Sequence, residues 1–282
     1  MAVAEGNAGV SIDWEAARET YKRDGVVHLP QVLGADALQA ALKAWEWSIA
    51  HPHAGGNVVQ KNDGIFFQDL FNPRVLEGYR SMLEASPIPD ICAKLWGTDD
   101  VWFMYEQVFL KEGGETRRTP WHQDASYLPV GGADTAVAWI TFDPISKEDS
   151  LEFVKGSHKG VLYNTSRFEL GDDTAPINER SEMPRLPDIE SERDRWAIVS
   201  WPVTPGDLTV FDFRTMHGGG STHPGRRRRT LSLRFFGERS FFEPKNGTGV
   251  PGLPGLPDLE RKLRPGDAFR DAYFLKLRST SA

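Results

Sequence analysis

Cysteine is almost absent from this chain: Cys92 is the only one among 282 residues. No internal disulfide can form, and a lone small apolar thiol points to core packing rather than nucleophilic chemistry. Long apolar runs are missing too, since no stretch approaches the roughly 18 residues of a membrane span. The opening MAVAEGNAGV has no basic segment leading into an apolar run, so no secretory signal is expected there. Positive charge is outweighed: 33 Lys and Arg against 40 Asp and Glu give a net charge of −7. That is the wrong sign for general nucleic-acid binding. These absences together predict a cytoplasmic protein with no membrane or nucleic-acid partner. What is present is 39% hydrophobic residues and nine Trp, enough for a sizeable core. The length fits one domain of barrel or sandwich type.

Helical patterns come first. Residues 1–10 read as a disordered end. SIDWEAARETYKRDG then reads as a capped helix with Trp14, Ala17 and Tyr21 on one face and Gly25 as its stop. VVHLPQVL (26–33) reads as a strand, and ADALQAALKAWEWSIA as a second helix whose stripe is Leu38, Leu42, Trp45 and Ile49. Residues 51–70 look loop-like, and NPRVLEGYRSMLEASPIPDICAKLWG gives two short helices. After residue 100 the texture changes to short β-branched and aromatic runs punctuated by Gly and Pro: VWFMYEQVFLK, AVAWITFDPI, LEFVKGSH, DLTVFDF and TLSLRFFGE. The order is α+β and mainly β, with an antiparallel barrel or sandwich as its body. We expect a single domain over 1–282, with a helical flank at 11–100, a β core at 101–240 and a C-terminal extension at 241–282. The polar, acidic segment 163–196 is long for a loop, and such a segment is either functional, as a lid would be, or disordered.

One tripeptide carries chemistry. In TPWHQDASYLPVGG, His122 and Asp124 stand two apart, a spacing that puts both side chains on one face of a strand. Alone, His-Gln-Asp reads more readily as a polar turn than as a metal site. A second imidazole would complete the set of two histidines and one carboxylate that leaves positions open on non-haem iron. Seven histidines are available. His217 is the best placed, at the end of DLTVFDFRTMHGGG, where Gly218 to Gly220 let other groups approach closely. His158 and His223 read as loop residues. In GRRRRTLSLRFFG, strand alternation puts Leu231, Leu233 and Phe235 on one face and Arg228, Thr230, Ser232 and Arg234 on the other. That polar face is either half exposed or lines a pocket in which Arg228 would clamp a carboxylate with its planar fork.

The order WHQD (121–124), AVAWITFDPISKEDSLEFVKGSHKG (136–160), TPGDLTVFDFRTMHGGG (204–220) and RRTLSLRF (228–235) resembles the phytanoyl-CoA dioxygenase family, which are non-haem Fe(II), 2-oxoglutarate-dependent oxygenases. The likeness covers about residues 20–240. It implies a double-stranded β-helix, or jelly roll, with helices packed on one side. It implies His122, Asp124 and His217 as iron ligands, with 2-oxoglutarate and O2 as co-substrates. It implies Arg228, eleven residues after His217, as the partner of the 2-oxoglutarate C5 carboxylate, with Trp139 beside the co-substrate and Gln107 touching it. A hydroxyl residue found two places after the distal histidine in some members is Gly219 here; Ser221 or Thr230 are the alternative donors. A carboxylate at 124, where related halogenases carry a small residue, implies hydroxylation or another oxidation of a small molecule. The expected substrate is a natural-product intermediate, and a homo-oligomer stays open. Lys61, Phe66 and Phe67 are candidates for a pocket wall, and Arg117, Arg118 and Arg234 for contacts to an anionic group. The rival readings are a zinc hydrolase on the same triad and a jelly-roll binding module without catalysis; the first leaves Arg228 without a role.

Overall fold

The computed structural model describes residues 12–53, 57–61, 64–113, 118–167, 171–179, 181–245 and 256–278. The expected disordered start, Arg117 and the side chain of Lys61 lie outside these described residues. Helix α1 (Trp14–Asp24) is opened by Asp13, whose carboxylate accepts from the backbone N–H groups of Glu15 and Ala16, and is closed by Gly25. Strand β1 (Val26–Leu29) follows at once. It is shorter than the expected 26–33, because Pro30 has no N–H to give a ladder and Gln31 takes a positive φ of 51°. Helix α2 (Ala35–Ala50) matches its pattern. Its buried face is Ala41, Ala44, Trp45 and Ser48, however, with Leu38, Leu42 and Ile49 half-buried on the flanks. The small alanines let the helix lie close to the sheet, so the large residues spread to either side.

The expected loop at 51–70 contains a hairpin instead. Strands β2 (Asn57–Lys61) and β3 (Gly64–Leu70) pair antiparallel, and β3 continues onto residues 107–112 of the long strand β4 (Val101–Glu112). Histidines and glycines nearby disguised NVVQK and GIFFQDL, whose valines and aromatics suit a pleated edge. Helices α3 (Val75–Ala85) and α4 (Ile88–Trp96) lie between β3 and β4 in the chain. The remaining strands are β5 (Thr119–His122), β6 (Val130–Gly132), β7 (Thr135–Thr141), β8 (Leu151–Val154), β9 (Ile198–Ser200), β10 (Leu208–Phe211), β11 (His217–Gly219), β12 (Arg227–Gly237), β13 (Ser240–Phe242) and, after helix α5 (Leu256–Lys262), β14 (Leu275–Arg278).

These strands form a jelly roll. An eight-stranded sheet runs β1-β10-β7-β12-β4-β3-β2, with β14 also on β4, and a four-stranded sheet runs β5-β11-β8-β9. The large sheet carries a core on each face. On its outer face, Val27, Val108, Ala138, Val210, Leu231 and Leu233 pack against Tyr21, Trp45, Tyr79, Leu83 and Leu95 of the helices. Full burial of a leucine such as Leu231 contributes roughly 1.5–3 kcal/mol. On its inner face, Trp139 and Phe211 meet residues of the small sheet; the Phe153 and Phe211 rings are 5.0 Å apart. The alternation in β12 holds, and its polar side is not half exposed: Arg228, Thr230, Ser232 and Arg234 are all buried between the sheets.

One glycine ties the helical flank to the inner face. Gly25 has φ 78°, and a Cβ there would come within 2.4 Å of His158 Nδ1 and 2.5 Å of Thr215 Oγ1. Its carbonyl accepts from the Asp212 N–H at 2.9 Å and the Thr215 hydroxyl at 2.7 Å, fixing the turn between β10 and β11. Gly25→Ala is therefore expected to lower stability by at least about 1 kcal/mol, read as a fall in thermal midpoint. A second buried group sits on the helix side of β4. Glu106 is 1% exposed, and burial pushes its carboxyl up to about 8, opposed chiefly by the Asn72 N–H at 3.0 Å. Between the ordinary value of 4.5 and about 8, the folded protein holds a proton that the unfolded chain releases. Stability must therefore fall as pH rises through that window. Glu106→Gln is expected to remove its share of this slope and to leave that of Asp212, which burial raises to about 7, so denaturant midpoints at pH 5 and pH 8 should differ less in the variant than in the wild type.

Candidate active site

Two adjacent strands of the small sheet bring the histidines together. His122 ends β5 and His217 begins β11, and the two are direct cross-strand partners. This differs from the expected placement of His217 at the end of a continuous strand. The chain leaves the large sheet at Phe211 and turns through residues 212–216, where Asp212 accepts from the Arg214 N–H at 2.7 Å. It re-enters in the other sheet at His217. Asp124 is not on a strand either. Gln123 is extended (φ −126°, ψ 120°) and Asp124 opens a single 3-10 turn held by the Ala125 N–H on the Phe213 carbonyl at 2.9 Å. One extended residue is enough to bring the carboxylate to the same side as His122.

Among the described residues, His122, Asp124 and His217 form a buried group whose ligand atoms all lie within 4.8 Å of one another. Asp124 Oδ1 is 3.6 Å from His122 Nε2 and 3.9 Å from His217 Nε2. These separations are long for hydrogen bonds and short enough to share one cation. Each Nδ1 lies 2.9 Å from a backbone carbonyl, Pro120 for His122 and Thr215 for His217. A carbonyl can only accept, so each Nδ1 carries the proton and each Nε2 offers its lone pair inward. Burial pulls His217 down to about 3, reinforced by the neighbouring His122, and burial likewise lowers His122. Burial alone would raise Asp124, but the Arg234 guanidinium and the two imidazoles outweigh it and hold the carboxyl at about 2. Two neutral imidazoles and one carboxylate therefore face one point, a donor set that fits divalent iron.

The inner face of the large sheet supplies the surroundings. Across three strands, Trp139, Ser232 and Gln107 stand in one row. Two residues along from Ser232, Arg234 sends Nε and Nη2 to Asp124 Oδ2 at 3.2 and 3.0 Å, and Nη2 also to Gln107 Oε1 at 2.7 Å. The anion that Arg234 meets is thus Asp124 of its own chain. Tyr127 donates a short hydrogen bond to Asp124 Oδ1. At the other end of the strand, Arg228 is buried, its Nη1 donating to the Asp149 carbonyl at 3.0 Å and its guanidinium 5.6 Å from the Trp139 ring centre. The guanidinium fills the space where a Cβ on Gly220 would stand, 2.1 Å from Nη1, so the glycine run after His217 does permit a close approach. Lys111, the cross-strand partner of Arg228, is buried with Nζ on the Gly220 carbonyl at 2.7 Å. Sequence reasoning missed it, although its parity on β4 is that of Gln107.

Other candidates are placed elsewhere. His28 stacks on Trp201, His51 on Trp47, and His223 bonds Asp149 at 2.7 Å. The His158 ring lies 3.2 Å from the Lys22 carbonyl. Arg226 and Arg227 are exposed, and Arg229 pairs with Asp143 on the helix side, as alternation requires. Arg118 is engaged with Glu152 and Glu190. Phe66 and Phe67 point to opposite faces: Phe67 joins the core under the helices, while Phe66 stacks on Phe109. Ser221 is half-buried, and Thr230 is buried on the inner face beyond Arg228. In the 163–196 segment, Leu186 and Ile189 pack on Trp121 and Met216, the residues preceding the two histidines. Trp121 Nε1 donates to Glu190 at 2.6 Å, and the Tyr163 N–H to Gln123 at 2.9 Å.

Known proteins share this arrangement of strands. Over 114 residues, 40% of this chain, it is 32% identical to a probable alpha-ketoglutarate-dependent hypophosphite dioxygenase of Stutzerimonas stutzeri. The match spans 37% of that relative's length. The epimerase SnoN, solved in complex with Fe3+, alpha ketoglutarate and nogalamycin RO, superposes with a TM-score of 0.67 at 22% identity, covering 94% of this chain and 98% of SnoN. The alpha ketoglutarate-dependent carbocyclase SnoK from nogalamycin biosynthesis gives 0.67 at 21% identity, over 95% of this chain and all (100%) of SnoK. At these identities the two structures establish the common fold. Residues 21–230 match the family model described as phytanoyl-CoA dioxygenase (PhyH), and the chain belongs to that family.

Proposed function

We propose that this protein is an Fe(II)- and 2-oxoglutarate-dependent dioxygenase that oxidises a small organic molecule. The observation that carries this reading is the buried convergence of His122 Nε2, Asp124 Oδ1 and His217 Nε2, each histidine held by a backbone carbonyl. Family membership and the alpha-ketoglutarate-dependent relative support it. When bound, iron and 2-oxoglutarate supply the oxidising chemistry with O2. The protein's own residues do the rest. His122, Asp124 and His217 hold the metal. Arg228, dry and charged beside Trp139, binds the distal carboxylate of 2-oxoglutarate; burial lowers it only to about 10, so it stays cationic at neutral pH. Trp139 walls the co-substrate, and Gln107 stands one row from Arg234 on the same face.

The segment 163–196 leans on the residues next to both histidines, and we assign it to the substrate pocket as a lid. Natural-product intermediates are the substrate class we favour; the resemblance in fold to SnoN and SnoK supports this. The carboxylate at 124 favours hydroxylation or another oxidation over halogenation. A cytoplasmic location suits the free, buried Cys92 and the lack, among the described residues, of a helix long and apolar enough to cross a membrane. Arg234 cannot accept a proton, and burial and the Asp124 charge raise Tyr127 well above its ordinary value so that it stays protonated, so a zinc hydrolase on this triad would find no proton acceptor in either neighbour of Asp124.

The test is an anaerobic titration of apo-protein with Fe(II), then 2-oxoglutarate, read by the weak visible charge-transfer band of chelated co-substrate. The wild type should develop the band. Arg228→Ala should need on the order of 100-fold more 2-oxoglutarate, the scale of losing one partner of a buried charge pair. His217→Ala should stay folded and lose the metal. A folded, metal-loaded wild type with no band would end the 2-oxoglutarate assignment.

A further inference from the structure

We propose that Gln107 and Arg234 form a positioning relay that confines Asp124 to ligation through one oxygen. This rests on the metal site assigned above. An arginine usually meets a carboxylate as a fork, with one N–H to each oxygen. Here both contacts go to the same atom: Nε and Nη2 of Arg234 lie 3.2 and 3.0 Å from Oδ2. Gln107 Oε1 accepts from Nη2 at 2.7 Å and holds the guanidinium to one side. Tyr105 supports the guanidinium from its face, 4.6 Å to the ring centre. An oxygen already accepting two charge-assisted N–H bonds has little electron density left for a metal. Oδ1 accepts only one hydrogen bond, from the neutral Tyr127 hydroxyl, and is the atom that faces both Nε2 atoms.

The geometry is over-determined by the fold. Arg234 and Gln107 belong to neighbouring strands paired over eleven positions, and Asp124 comes from the facing layer. Both partners are shut in: the Arg234 side chain is 4% exposed and that of Asp124 0%. Among the described residues Nη1 of Arg234 has no hydrogen-bond partner, so the guanidinium spends its other donors on Oδ2 and Gln107 and none on Oδ1. A pair serving only stability would gain more from the two-oxygen fork. Ligation through one oxygen leaves one more position on the metal than chelation by both, and 2-oxoglutarate and O2 together need three.

The experiment uses Co(II)-reconstituted protein, read by its visible ligand-field spectrum and by the spectral change on adding 2-oxoglutarate. Wild type, Arg234→Met, Arg234→Lys and Gln107→Leu are compared, with thermal midpoints alongside. Arg234→Met frees Oδ2, so its Co(II) spectrum should change and its apparent affinity for 2-oxoglutarate should fall about 10–100-fold, the range for partners that orient metal ligands. Arg234→Lys keeps the charge without the fork; it should regain thermal stability but not the wild-type spectrum. Gln107→Leu should move the spectrum in the same direction by less. If Arg234→Met does not fold, the lysine and leucine variants decide alone. Wild-type spectra and 2-oxoglutarate affinities in the folded variants would overturn the relay, as would full recovery by lysine, which would reduce Arg234 to a counter-charge. His217→Ala separates the two levels. If it leaves the Co(II) spectrum unchanged, the metal is not at the triad, and the functional reading falls together with the relay. If it abolishes the spectrum while the Arg234 and Gln107 variants are silent, only the relay falls.

Discussion

Asp124, a carboxylate with no solvent exposure between the two sheets, sets the terms for the interior of this roll. An ion taken from water into such a place loses hydration worth several kcal/mol even after the surroundings relax. It remains charged because Arg234 of the large sheet lies against one oxygen and Tyr127, in the turn that follows β5 of the small sheet, donates to the other. Those groups come from both sheets. The charge is therefore compensated only when the eight-stranded and four-stranded sheets meet in one relative placement. Packing of Phe153 on Phe211 brings the layers together, while the ion pair selects which face-to-face arrangement is tolerable. Apolar contact is forgiving of small slides, and a buried charge is not.

Strand β12 shows how one stretch of chain serves two environments. Its odd-numbered Leu231, Leu233 and Phe235 belong to the helix-covered core, and its even-numbered Arg228, Thr230, Ser232 and Arg234 face inward. Slipping the pairing by one residue would drive arginines under the helices and leucines into the site. The eleven-position pairing with β4 makes that slip costly. Arg228 and Arg234 thereby acquire a fixed separation along the strand, one at the proposed co-substrate end and the other at the carboxylate. The spacing between them reflects strand rise as much as chemistry.

Much of this was legible in the sequence, for definite reasons. His122 and Asp124 are near neighbours, so one extended residue between them makes their convergence local. Alternation separated Arg228 from Arg227 and Arg229, and the eleven-residue spacing from His217 that the family resemblance implies separated it from Arg226. His217 was found through the glycines behind it, although the path was misread: nothing local announces that the chain changes sheets at residues 212–216. The hairpin at 57–70 was missed for a similar reason, since its partner strand begins some thirty residues later and only the pairing reveals it. The roles of Arg234 and Lys111 depend on what lies across the ladder or in the opposite layer. Parity tells which way a side chain points and cannot tell what it meets.

The long pairing of β4 with β12 also dictates when the site can exist. Val101–Glu112 waits for Arg227–Gly237, more than a hundred residues downstream, and the same strand takes its last neighbour, β14, at Leu275–Arg278. Contacts so distant along the chain form late, because closing a long loop costs entropy before any contact repays it. During synthesis His122 and Asp124 leave the ribosome well before either His217 or Arg234, so the nascent chain holds half a metal site and an uncompensated acid. The helical flank, in which α1 packs on α4 and α2 on α3, is completed by residue 96, is available to fold first and offers a surface on which the large sheet can assemble. Assembly order thus runs from scaffold to chemistry, and the centre that handles reactive oxygen is finished only once Arg234 has joined the large sheet.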